Sequence, residues 1–296
     1  MIWYRFNRDK HQFKMIDLIE SFGMSKQNFY SRFSRMNYVF EEHQELIRLV
    51  HRIRENHPNM SARIMYTMIK PSTIGRDKFE KLCFENKLGV KRRKNFRVTT
   101  NSYGVTRFPN KIKEIKVTAV NQVLVSDITY YEMNGRFYFL TFIMDLFNRE
   151  IVGYSTSNNL RSENTTIPAL QKVKQLRGSA NLKGAIIHSD AGGQYYSKAF
   201  KEITNDLKMI NSMTEGSVYE NAHAERLNGI IKNDYLYLYN PDNINALRNS
   251  VRKAVWMYNN EKPHYALNGL SPINFATNTI ENQNNSSSYR RLSTVQ

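Results

Sequence analysis

The chain has few of the residues that staple or anchor a protein. Its 296 residues include one cysteine, which excludes a disulfide framework and any zinc site built on paired cysteines. A single thiol also fits a reducing compartment. No apolar run approaches the ~18–20 residues that a membrane-crossing helix needs, and the opening MIWYRFNRDK lacks the apolar stretch of a secretory leader. No membrane partner is therefore expected. Acidic residues are scarce as well: 26 Asp+Glu stand against 43 Lys+Arg, a formal net charge of +17. An excess of this size points to a polyanionic partner, most often nucleic acid. Apolar content is not lacking. A hydrophobic fraction of 41%, with 12% aromatics, suffices for a sizeable core and excludes disorder as the default.

The positive charge is uneven. Residues 1–115 carry 24 Lys/Arg and 11 Asp/Glu, whereas 116–296 carry 19 and 15. The basic part is N-terminal and reads as helical. In the first segment, 1–40, Ile16, Ile19 and Phe22 have helical spacing, Gly23 can end a helix and Ser25 can cap the next. That second helix presents Lys26, Gln27, Asn28 and Arg32, the layout of a helix-turn-helix entering a DNA groove or of an ordinary helical hairpin. A second helical segment, 41–95, has the apolar stripe Leu46, Leu49, Val50 and Ile53, a break at Pro58, and renewed helices up to Leu82. It ends in Lys91, Arg92, Arg93 and Lys94, a cluster suited to neutralising phosphates or to remaining a solvated connector. Residues 96–117 read as a basic linker.

From 118 to 276 the pattern changes to a mixed α/β core. Val123 to Tyr131 is rich in β-branched and aromatic residues, Asn134-Gly135 is a hairpin turn, and Phe137 to Met144 and Glu150 to Ser155 are further strands. A helix over 162–176 puts Ile167, Leu170, Val173 and Leu176 on one face, with Ser162 a candidate cap. Then follow a short strand at 185–187, a helix at 197–207, a strand at 209–213, and helices at about 221–236 and 244–259. A three-strand meander followed by alternating helix and strand is the order of a ribonuclease-H-like five-stranded mixed sheet. The Asn/Ser-rich tail, 277–296, reads as disordered.

Three acids stand out. Asp127 sits inside the first strand among Leu124, Val125 and Ile128, where a carboxylate is costly without a compensating partner. Asp190 follows the short strand at 185–187. Glu225 lies on a helix, 35 positions further on. If the first and fourth strands are neighbours and the late helix crosses the sheet, the three converge. Converging carboxylates repel unless hard divalent cations such as Mg²⁺ hold them. Two such ions can activate an attacking oxygen and stabilise a leaving one at phosphorus. On the late helix, Asn221, Glu225, Asn228 and Lys232 share a face, and Leu227 and Ile231 lie on another. That polar face suits a phosphate beside a metal site, or simply solvent. Other polar residues favour structural roles: His188 before the second acid, Asp145 in a turn, His264 after Pro263, and at least one of Tyr195 and Tyr196. Gly192-Gly193 suggests a tight turn needing positive φ, and Cys83 a small buried apolar group.

The segments VSDITYYEMNGRFYFLTFIMDLFNREIVGYS, HSDAGGQYYS, SMTEGSVYENAHAERLNGIIK and YNNEKPHYALNGLSPINFA occur here in order. Together they resemble the successive motifs of DDE transposases, most closely those of the third bacterial insertion-sequence family, whose core is shared with retroviral integrases. The likeness covers about 45–275, and 45–95 is similar to that family's helical DNA-binding segment. It implies a ribonuclease-H-like catalytic core in which Asp127, Asp190 and Glu225 bind two Mg²⁺, with Mn²⁺ as a substitute. It further implies that water and then a freed 3′-hydroxyl attack phosphodiesters, without a covalent protein–DNA intermediate. Lys232 matches a position that contacts the element's end. Three departures are visible: Asp190 and Glu225 enclose 34 residues, where the family usually has one more; Glu220 stands where Asp is common; and Ala191 and Gly193 replace the more usual polar residues after the second acid.

The expectation is thus a transposase of a mobile element in the bacterial cytoplasm, nucleoid-associated. It would bind inverted-repeat ends as double-stranded DNA, cut 3′ ends and join them to target DNA, as a homodimer or larger assembly. The alternative is a catalytically inactive, repurposed DNA-binding protein acting as a repressor.

Overall fold

The computed structural model describes residues 15–90, 108–215 and 221–279. The cluster Lys91, Arg92, Arg93 and Lys94, most of the 96–117 linker, Glu220 and nearly all of the tail lie outside the described residues. The chain forms two compact units, Met1–Arg52 and Ile53–Gln296.

The first unit contains α1 (Met15–Ser21) and most of α2 (Lys26–Asn56). Gly23 takes φ 62°, which is inexpensive for glycine, and so ends α1. Ser25 Oγ then accepts the Asn28 N–H at 3.2 Å. Instead of a short second helix, α2 runs for 31 residues. No glycine or proline lies between Lys26 and Asn56, so nothing stops the helix before His57-Pro58. The expected division at 40/41 therefore falls inside one helix.

The second unit opens with α3 (Ala62–Ile69), capped by Ser61, and α4 (Arg76–Glu85), entered through an extended Gly75. Met65, Phe79, Leu82 and Cys83 are buried here. His57 joins this helical pair to the later chain: one ring nitrogen lies 3.0 Å from the Tyr235 hydroxyl and the other 2.9 Å from Glu261 Oε2.

The core is a five-stranded sheet in the order β3-β2-β1-β4-β5. The strands are β1 (Val123–Met133), β2 (Arg136–Asp145), β3 (Ile151–Ser157), β4 (Ile186–Ser189) and β5 (Ile210–Met213). β1–β2 and β2–β3 pair antiparallel; β1–β4 and β4–β5 pair parallel. The Asn134-Gly135 turn has φ 53° and 70°, matching the twist of a tight hairpin. This is the ribonuclease-H-like mixed sheet that the sequence order implied.

Helices cover both faces. α5 (Thr166–Arg177), α6 (Gly193–Tyr196) and α7 (Lys198–Asp206) lie between strands; α8 (Ala222–Ile230), a π-helical turn (Ile231–Leu236) and α9 (Ile244–Asn260) follow the last strand. Alternation along β1 divides the core. Val123 and Val125 pack with Leu227, Ile231 and Val251. Leu124 packs with Ile187, Leu170 and Phe200 on the other face. The start of α5 differs from expectation: Ser162 lies in a short 3-10 turn, and the α-helix begins at Thr166. Ile167, Leu170 and Val173 are buried, but Leu176 is 55% exposed near the helix end. Gly153 lets α5 approach closely, because a Cβ there would sit 2.4 Å from the Ala169 carbonyl oxygen. Among the described residues, no helix is long and apolar enough to cross a membrane.

Candidate active site

The sheet register places the first two acids side by side. Ser126 on β1 pairs with Ser189, the last residue of β4, so Asp127 is the next residue of β1 and Asp190 the first residue past the end of β4. Asp127 shares the strand face of Val123 and Val125, the face covered by α8. Glu225 sits in the first turn of that helix.

α8 lies along β1 with matched spacing. Asn221 Nδ2 donates to the Ser126 carbonyl at 3.1 Å, Asn228 Nδ2 to Asp127 Oδ2 at 2.8 Å, and Lys232 Nζ to Thr129 Oγ1 at 2.8 Å. The spacing works because two residues of strand advance ~6.8 Å and four of helix ~6 Å. Asn228 and Lys232 thus meet Asp127 and Thr129 as successive rungs. The shared polar face of 221, 228 and 232 is directed to β1 rather than to solvent, while Glu225 remains exposed. Lys232 also lies 5.3 Å from the centre of the Tyr130 ring. It occupies the start of the π-helical turn, a local irregularity common at functional sites.

Electrostatics couple the acids. Burial, then Asp190, then Glu225 push the Asp127 carboxyl up to about 8; the Ile128 N–H and the Asn228 amide oppose this. Burial also raises Asp190, with the Gly192 N–H at 3.2 Å opposing. Lys232 is pushed down by burial and partly restored by Asp127. As they stand, no three His, Cys, Asp or Glu side chains among the described residues are close enough to hold one ion. The donor set nevertheless fits a hard divalent ion. It is all carboxylate oxygen: Asp127 is on a strand, Asp190 immediately follows the end of the neighbouring strand, and Glu225 is an exposed side chain on the helix above.

The other sequence-predicted residues fall into place individually. Lys26, Gln27, Asn28 and Arg32 are exposed on the first turns of α2, within the separate first unit. His188 is buried and bonds Ser212 Oγ at 2.9 Å. Asp145 is buried and accepts the N–H groups of Asn121 and Phe147, a structural turn. Tyr195 is buried, and its hydroxyl lies 2.8 Å from Ser126 Oγ, directly beneath the site. His264 packs edge-on to Tyr258 at 4.6 Å, and burial holds its pKa down at about 3. Gly192 corrects the turn expectation. Its φ is −63°, so it needs no left-handed backbone; it is small because a Cβ would come 2.9 Å from Asp190 Oδ1.

Sequence reasoning placed Asn228 on the right face but gave it no partner. Ser126 and Thr129 it missed altogether; for Tyr195 it expected a packing role but not the bond to Ser126. The signal available was the four-residue helical repeat against the two-residue strand repeat, which becomes informative only once the pairing is known.

The chain is similar to several known proteins. Two models described as "Integrase core domain" match residues 117–215 and 209–272. The "Insertion element IS600 uncharacterized 31 kDa protein" of Shigella sonnei is 29% identical over 266 residues, covering 87% of this chain and 97% of that protein. The "Transposase for insertion sequence element IS629", also of Shigella sonnei, is 30% identical over 145 residues; the match spans 49% of this chain and 48% of that protein. The solved catalytic core domain of HTLV-2 integrase, in complex with magnesium, is 27% identical with a TM-score of 0.43, covering 53% of this chain and 95% of that one.

Proposed function

This chain belongs to the DDE transposases of insertion elements, with an integrase core domain over 117–272, and from that premise we propose that Asp127, Asp190 and Glu225 are its catalytic acids. The observation that supports the assignment is the register Ser126–Ser189, which leaves Asp127 and Asp190 as the next residues of two neighbouring chain segments, near the helix bearing Glu225. The substrate is double-stranded DNA: the element's ends first, target DNA second. The reaction is 3′-end cleavage followed by strand transfer, carried out on bacterial DNA in the cytoplasm by a dimer or larger assembly that bridges two ends.

The three carboxylates would hold divalent ions, Mg²⁺ with Mn²⁺ as substitute and two in number. Ions held there would supply Lewis-acid stabilisation of the oxygens at phosphorus. The remaining chemistry belongs to the chain. At neutral pH, and with no cation, Asp127 keeps its proton, because burial and two neighbouring acids disfavour its charge. Loading the site therefore releases a proton from Asp127. Asn228 fixes the Asp127 carboxylate by donating to Oδ2, leaving Oδ1 beside the Ile128 N–H. Tyr195 supports the same strand through Ser126. Lys232 exchanges its neutral partner Thr129 for a DNA phosphate, an exchange favoured by charge. The exposed basic start of α2 and the 91–94 cluster add phosphate contacts that are indifferent to sequence.

The test is a strand-transfer assay with the cognate ends and Mg²⁺. Asp190→Asn is expected to abolish joining while end binding persists. Joining at the wild-type rate by Asp190→Asn would refute the assignment.

A further inference from the structure

A second group of polar side chains lies beyond the acids, on the side of α8 turned away from β1. His223 and Arg226 are three residues apart on that helix, so they share a face, and both are exposed. Arg149 approaches from the turn between β2 and β3. His264 approaches from beyond α9, its ring against Tyr258. The turn is fixed in place. Arg149 N–H donates to the Asp145 carbonyl at 2.9 Å, and Asn259 on α9 bonds both backbone groups of Ile151, two residues later, at 2.9 Å each.

Arg149 is unusual in two respects. It is a non-glycine residue at φ 62°, a conformation that persists only where the surroundings impose it. Its guanidinium is half-buried, and Nη1 is buried with no hydrogen-bond partner. Among the described residues no carboxylate pairs with Arg149 or with Arg226. The acids near Arg149 are otherwise engaged: Asp145 by backbone N–H groups, and Glu150 by Arg177 and Asn148. Nearby Lys262 is paired with Asp234 at 2.9 Å. His264 Nε2 is a further buried nitrogen without a partner. Burial, and then the neighbouring Arg226, disfavour the charge on Arg149, with Tyr258 and Asp145 opposing in part; an external anion at the unpartnered Nη1 would relieve the group. Guanidinium forks match the oxygens of a phosphodiester.

We propose that Arg149 and Arg226 form a clamp for one backbone phosphate of DNA, separate from the phosphate met by Lys232 and from the reacting one. The clamp rests on the reading of the chain as a DNA transferase. Arg226 directly follows Glu225 on α8 and Lys232 lies six residues further on, in the π-helical turn, so a strand held at both places would run past Glu225. The role is positioning, because neither arginine reaches the reacting atoms.

The experiment measures binding of end DNA by the full chain, without metal, at several salt concentrations. One lost phosphate contact lowers the slope of log affinity against log salt by about 0.9. Between 50 and 200 mM salt, each variant would then lose roughly 3.5-fold less affinity than wild type does. Arg226→Gln, Arg149→Gln and the double variant are expected to show the same reduced slope, since they share one phosphate. Arg226 is exposed, so its variant reports even if Arg149→Gln fails to fold. A wild-type slope in Arg226→Gln would overturn the clamp while leaving the transferase reading intact. A wild-type chain that binds no DNA would overturn both.

Discussion

Asn228→Leu is the most informative single substitution near the acids. The amide donates to Asp127 Oδ2 at 2.8 Å, and its own Oδ1 is buried without a partner. Leucine of similar size removes the donor and leaves no new unsatisfied group on residue 228. A hydrogen bond to a charged group contributes about 1.5–3 kcal/mol. The bond exists fully only when Asp127 is ionised, which is the form that holds a cation, so its loss falls on metal binding. At about 1.4 kcal/mol per decade, the Mg²⁺ concentration for half-maximal strand transfer should rise roughly 10- to 100-fold. The assay is a Mg²⁺ titration of joining, with metal-free binding of end DNA as the control. Half-saturation within twofold of wild type, at unchanged DNA affinity, would refute the idea that Asn228 orients a metal-holding carboxylate.

Other perturbations test other links. Asp127 is raised from an ordinary 3.8 to about 8, so above pH 4 the unfolded carboxyl is ionised while the folded one keeps its proton. That mismatch costs stability increasingly up to pH 8, and Asp127→Asn should stabilise the metal-free protein by a few kcal/mol at pH 7; a lower melting temperature would contradict this. His264 has the opposite sign. Its pKa falls from 6.5 to about 3 on folding, so its contribution is present above pH 6.5 and is lost as pH falls towards 3. Urea melts should show about 2 kcal/mol lost from this group between pH 7 and pH 5, and His264→Phe should remove that dependence; an unchanged pH profile in the variant would exclude the assignment. Gly153→Ala would place a Cβ 2.4 Å from the Ala169 carbonyl oxygen and 2.7 Å from Val173 Cγ2. It should destabilise by about 1–3 kcal/mol through overpacking, and an unaltered denaturation midpoint would show that α5 can shift freely.

Much of the core was legible because its signals are local. Asn134-Gly135 marks the hairpin, and β-branched runs mark β1 and β2. Asp127 among Leu124, Val125 and Ile128 is conspicuous as a charge in an apolar strand. What was not legible depends on pairing. The bond from Asn228 to Asp127 requires the register of α8 on β1, which no periodicity within either element encodes. The reason for Gly192 is a close approach to Asp190, not its own φ. α2 was divided too early because its apolar stripe starts afresh at Leu46, although nothing before His57-Pro58 can end the helix. Leu176 has the right period but lies at the end of α5, where the helix runs past its partners.

The central claim is that Asp127, Asp190 and Glu225 close on shared cations. Anomalous diffraction from crystals of the protein grown with Mn²⁺ and end DNA tests it most directly. Mn²⁺ peaks are expected within bonding distance of oxygens from all three side chains, and are expected to be lost in Asp190→Asn crystals. Mn²⁺ bound elsewhere, with Glu225 still turned to solvent in a complex that joins DNA, would contradict it.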